Sequence, residues 1–168
     1  MQRDELLKFL TDFAAERLAL LQRHEGGARV VSHYDFNNTY QYVISREETH
    51  VSWLETALAE FSQPLPAAAA ALPVPDVVKV AKKDPVGAFR AILEDDARTL
   101  SAFVDRWRGR LDEMTHARHR IMLNVVLGES LEHRRLFEQA AAGFEDVLGR
   151  RASGSERVGS VMSSRWVE

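Results

Sequence analysis

The five prolines of the chain, Pro64, Pro66, Pro73, Pro75 and Pro85, all fall between positions 64 and 85. Proline lacks a backbone N–H and clashes with the preceding helical turn, so it limits where long helices can run. The segments on either side of that window carry no such break. Before it, apolar periodicity predicts helices over about 4–24 and 36–62. Gly26-Gly27 is expected to end the first, Ser32 or Asp35 to cap the second, and about a dozen residues to join them. After the window, Asp84-Pro85 reads as an N-cap followed by proline at the first helical position, opening a helix over 86–111. A fourth helix is expected over 115–148, stopping at Gly149, with the break before it near 109–115. Apart from the ambiguous Ala28-Arg29-Val30-Val31, no period-2 alternation suggests a strand.

The class is therefore all-α: a four-helix bundle whose long connection, over 62–84, is a crossover between helices two and three. The alanine tract 67–71 lies in it, and a short extra helix is expected around 76–82. Residues 1–150 form the bundle, and 151–168, rich in Ser, Gly and Arg, form a flexible tail.

Composition narrows function by exclusion. A chain of 168 residues, 45% hydrophobic and 28% charged, suits one soluble domain. A net charge of -3 and a pI near 6.1 argue against nucleic-acid or anionic-membrane partners. Without cysteine there is no disulfide, thiolate zinc site, iron–sulfur cluster or catalytic thiol, so any metal must be held by His, Asp and Glu. The start, Met1 to Glu5, lacks the pattern of a secretory signal, and no apolar run is long enough to span a membrane, so the cytoplasm is the expected location. No Gly-rich phosphate loop or nucleophile elbow supports kinase, nucleotide-binding or serine-hydrolase chemistry.

The informative residues are polar ones on stripes that should be buried, where an ionisable group must be paired, protonated or metal-bound. Projection at about 100° per residue puts Glu47 on the centre line of helix two, with Tyr40, Val43, Leu54 and Leu58, and His50 about 60° to one side. In helix three Asp96 lies within about 25° of the middle of a face made by Phe89, Ile92, Leu93, Leu100, Phe103 and Trp107. In helix four Glu129 and His133 each fall about 20° from the centre of a stripe containing Met122, Val125, Val126, Leu136, Phe137, Ala140 and Phe144. Helix one is less clean: Glu16 is about 60° off centre, and Arg17 is nearer the middle. Counting from the connecting turns places Asp96 level with Glu129, and Glu16 within roughly 5 Å of Glu47, so all four acids are expected in one layer.

A layer of carboxylates and imidazoles is what two iron or manganese ions require. In this the sequence resembles the ferritin-like superfamily of di-metal carboxylate proteins, in which single acids from two helices combine with Glu-x-x-His pairs from the other two. Glu47-Glu48-Thr49-His50 matches one pair, and Glu16 and Asp96 match the single acids. Helix four departs from the pattern: it reads Glu129-Ser130-Leu131-Glu132-His133, with a glutamate where the histidine would be. The resemblance implies metal ligands Glu16, Glu47, His50, Asp96, Glu129 and His133, with Glu132 competing with His133. It implies two iron ions, or manganese in their place, and iron oxidation by oxygen or peroxide. The absence of cysteine excludes a fused rubredoxin-type relay. Whether the chain is an enzyme stays open, and copies of it are expected to associate.

The alternative is a non-catalytic bundle with a buried polar network, in which Arg17 neutralises two carboxylates and the outer faces serve association. His24, near the end of helix one, reads as a capping or partly solvated residue, and His33 as loop. His116 and His119, among several arginines, read as a solvated basic end. Tyr40 reads as a core aromatic, and Trp53 turns away from the stripe. In the tail, Val161-Met162 and Trp166-Val167 are spaced as in a short docking segment for a partner.

Overall fold

The computed structural model of the protein describes residues 2–76, 82–144 and 147–149. Among them are four helices and no strand: α1 (Arg3–Val30), α2 (Tyr34–Ala59), α3 (Pro85–Asp112) and α4 (Ala117–Ala141). Among the described residues no helix is long and apolar enough to cross a membrane. The extra helix expected around 76–82 and the tail over 151–168 fall largely or wholly outside the described residues.

Local chemistry explains the ends. The backbone N–H of Gln2 donates to the Glu5 carboxylate at 2.7 Å, opening α1. Asp84 accepts from the Gly87 N–H at 2.9 Å with Pro85 in the first turn, as the Asp-Pro pair predicts. The first turn differs from expectation. α1 runs through Gly26-Gly27 to Val30, and three residues, not a dozen, lead into α2, whose N-cap is His33 rather than Ser32 or Asp35. Gly27 serves close packing there, not helix termination: a Cβ on it would lie 2.8 Å from the Tyr40 ring. Asn37 then ties the turn together, donating to the carbonyls of Ala28 and Val31.

α4 is shorter than the periodicity suggested. It ends at Ala141, and Gly143 takes φ 88°, a left-handed conformation that glycine adopts without strain. Phe144, beyond that stop, is 64% exposed rather than on the buried stripe, and Val125 is also exposed, because the buried line of α4 runs through Leu123, Val126, Leu127, Ser130, His133 and Phe137.

Contacts fix the relative sense of the helices. Arg17 of α1 meets Glu47 of α2, and Gly27 meets Tyr40, so the two run antiparallel. Phe9 and Phe13 meet Trp107, Phe13 meets Phe103, and Arg23 meets Asp96, so α1 and α3 are antiparallel as well. The edge-to-face aromatic group, with ring centroids 5.0–5.2 Å apart, fills one end of the core, and the Arg110 guanidinium covers Trp107 at 4.1 Å. Toward the middle the core becomes polar.

Candidate functional site

Glu47, His50, Asp96 and His133 are buried, as their projections require. Glu129 sits at the edge of the core, its side chain 29% exposed, and Ser130 takes the central position beside it. Glu16 does not join them. It faces α3, accepting from Arg106 Nη1 at 2.9 Å and from the indole N–H of Trp107 at 3.1 Å. The residue that α1 turns into the centre is Arg17, one position and about 100° further round the helix, wholly buried.

Arg17 organises the upper part of the site. Its Nη2 donates to Glu47 Oε1 at 2.9 Å and to His50 Nδ1 at 3.1 Å, and its Nη1 donates to the Ser130 hydroxyl at 3.1 Å. Because His50 Nδ1 accepts from a guanidinium, its proton is assigned to Nε2, which donates to Glu129 Oε2 at 2.9 Å. Arg46 grips the same carboxylate with both Nε and Nη2, at 2.9 and 2.6 Å.

A second level lies one to two helical turns away. Asp96 accepts from Arg23 Nε at 2.8 Å and from the Tyr40 hydroxyl, and Arg23 also binds Asp95 at 2.6 Å. His24 joins the levels: it is fully buried, its Nδ1 donates to Glu47 Oε2 at 2.9 Å, and its Nε2 is 3.9 Å from Asp96 Oδ1. The expectation of a capping or solvated His24 is corrected, because α1 continues past it to Val30 and keeps it inside the bundle. Glu132 pairs with Arg135 on the surface and takes no part. His119 packs against Phe61 and is nearly buried, not solvated, whereas His116 is exposed. Trp53 is half-buried against the His50 ring.

Electrostatics follow from these pairings. Burial pushes the Glu47 carboxyl up, but Arg17 and His24 more than offset it and hold the group at about 2. Burial, reinforced by Arg17, lowers His50 to about 4 despite the Glu129 carboxylate. His133 is lowered to about 3, chiefly by burial. Both imidazoles are neutral at pH 7. Asp96 is raised, because burial outweighs His24, Arg23 and Tyr40. His133 Nδ1 is buried with no hydrogen-bond partner among the described residues.

Each inward acid thus has its own arginine: Glu47 with Arg17, Asp96 with Arg23, Glu129 with Arg46. Sequence reasoning missed Arg23 and Arg46. Each stands beside a stripe residue, His24 and Glu47, and a long side chain there can reach a neighbouring helix. As the side chains stand, the donor set does not fit two ions, because the acids that would bridge them already hold guanidinium groups and Glu16 faces elsewhere. Among the described residues no three His, Asp or Glu side chains converge as a metal-holding group. No family model matches the chain, and no curated protein or solved structure is significantly similar to it.

Proposed function

We propose that the chain is a ferritin-like, one-crossover bundle in which arginines, two of them buried and one at the edge of the core, rather than a pair of metal ions, compensate the inward acids, and that it acts as a non-catalytic association module. The crossover is supported by the parallel sense of α2 and α3, which follows from both being antiparallel to α1. The observation that carries the reading is the Arg17–Glu47 pair at 2.9 Å, both side chains fully buried. A guanidinium stays charged in proteins, so it satisfies Glu47 without any metal and repels a cation brought to the same carboxylate. What such a network confers is specificity of helix pairing: a helix shifted along its neighbour would leave charge unpaired in the core. Association of copies is supported by Ile121 and Val125, 64% and 43% exposed and four residues apart on α4.

A second reading keeps one metal ion. His133 would offer its unpartnered Nδ1, and His50 and Glu129 would join it only after rearranging, because the three do not converge as they stand and both His50 nitrogens are taken by Arg17 and Glu129. Glu129 would have to be released by Arg46. Bound there, zinc, manganese or iron(II) would supply Lewis acidity.

Thermal melts separate the readings. In the arginine-compensated bundle the melting temperature is unchanged, within about a degree, by chelator or by added Zn(II), Mn(II) or Fe(II). A rise of several degrees with one of these ions, lost in His133→Ala, would establish the single-ion site instead.

A further inference from the structure

Away from the charged centre, α1 and α3 part around a cavity of about 440 Å³, within the usual size of a small-ligand site. Its floor is apolar, built by Leu20 and Phe103, and small residues leave the space: Ala19 on α1, Ala102 on α3 and Ala69 on the connection after α2. That connection is held in place, since the Ala69 N–H donates to the Ala15 carbonyl at 2.8 Å. Two arginines of α3 stand at the cavity, Arg98 and Arg106, eight residues or about 12 Å apart along the helix.

The two are not equivalent. Arg106 is paired with Glu16, itself part of the lining, so that end is neutral. Arg98 binds Asp95, which does not line the cavity and is already shared with Arg23. The Arg98 side chain is 68% exposed, and its bond to Asp95 uses one of the five donors of a guanidinium. One end of an apolar slot thus carries a guanidinium whose carboxylate partner, Asp95, lies outside the slot and takes one of its N–H donors.

We propose that this cavity binds a medium-chain carboxylate, its carboxylate on the Arg98 guanidinium and its acyl chain running over Ala102 and Phe103 toward Leu20 and Glu16. An extended chain of about ten carbons spans the 12 Å between the two arginines. The carboxylate meets a planar fork suited to it, and the chain replaces water on an apolar floor. A cationic head at the same place meets Arg98 with like charge, and an alcohol lacks the charge-assisted bond.

The test uses decanoate, decan-1-ol and decylammonium, each below its aggregation threshold, with the full chain followed by backbone NMR and calorimetry. Decanoate is expected to shift the amides of Leu20, Thr99 and Ala102 and to bind at least tenfold more tightly than the other two. Arg98→Ala reduces decanoate to the level of decan-1-ol, Arg106→Ala has little effect, and Ala102→Trp, at an exposed position, blocks both ligands. Ala69→Leu closes the slot from the other side and checks that the block is steric. Equal binding of the three probes, an advantage for decanoate that survives Arg98→Ala, or shifts confined to another part of the bundle would overturn the proposal.

Discussion

Replacing Arg17 with methionine is expected to destabilise the protein by about 3–5 kcal/mol, the range for removing one partner of a buried ion pair. Methionine keeps most of the volume, so the loss comes from charge. Glu47 would keep His24 but lose its guanidinium, and Ser130 and His50 would each lose a bond. The origin is checked by a second change. In Arg17→Met/Glu47→Gln the buried negative charge is gone, and urea or thermal unfolding should show recovery of at least about 1 kcal/mol relative to the single variant. An Arg17→Met protein as stable as the parent would mean that Glu47 has another source of positive charge.

The second large effect is acid sensitivity, with onset set by the histidines. His50 and His133 lie at about 4 and about 3 when folded, against an ordinary value of 6.5. Between those values the unfolded chain binds protons that the folded chain refuses, so stability falls as pH drops below about 6.5 and keeps falling to about 3. Over these windows His50 contributes on the order of 3 kcal/mol and His133 on the order of 5 kcal/mol. Glu47, at about 2 against an ordinary 4.5, acts in the same direction: its stabilisation is present above 4.5 and is lost as pH falls toward 2. The raised Asp96 opposes them, since it takes up a proton more readily folded than unfolded. Melting curves from pH 8 to pH 3 should show a steady decline beginning near pH 6.5. In His133→Phe, which stays uncharged, the decline between pH 6.5 and 4 should be visibly shallower. A flat profile down to pH 5 would contradict the buried, neutral imidazoles.

Much of this was legible in the residues. Confining every proline to 64–85 left room for four helices, and helical projection identified Glu47, His50, Asp96 and His133 as inward. Projection gives the direction of a side chain but not its partner. Glu16 and Arg17 are neighbours in sequence, and a rotation of about 100° decides which enters the core and which meets Trp107 on α3. The partners of Asp96 and Glu129, Arg23 and Arg46, lie beside the stripes of other helices and reach their acids only once packing is known. Counting depth from the turns also failed locally. Asp96 is 16 residues before the end of α3 while Glu129 is 12 after the start of α4, and Asp96 lies level with His24 and Tyr40, one to two turns from Glu47, so the acids occupy two levels rather than one. At the helix ends, glycine carried two meanings that composition does not separate: Gly143 ends a helix, whereas Gly27 admits the Tyr40 ring against a helix that continues.

Whether arginine or metal compensates the central carboxylates is tested most directly by the metal-to-chain ratio of protein purified from iron- and manganese-supplemented cells, measured by elemental analysis after removal of loosely bound ions. Compensation by Arg17, Arg23 and Arg46 predicts less than a few tenths of an ion per chain, unchanged in Glu47→Ala. A ratio near two that falls sharply in Glu47→Ala or Glu129→Ala would contradict it and restore the di-metal centre.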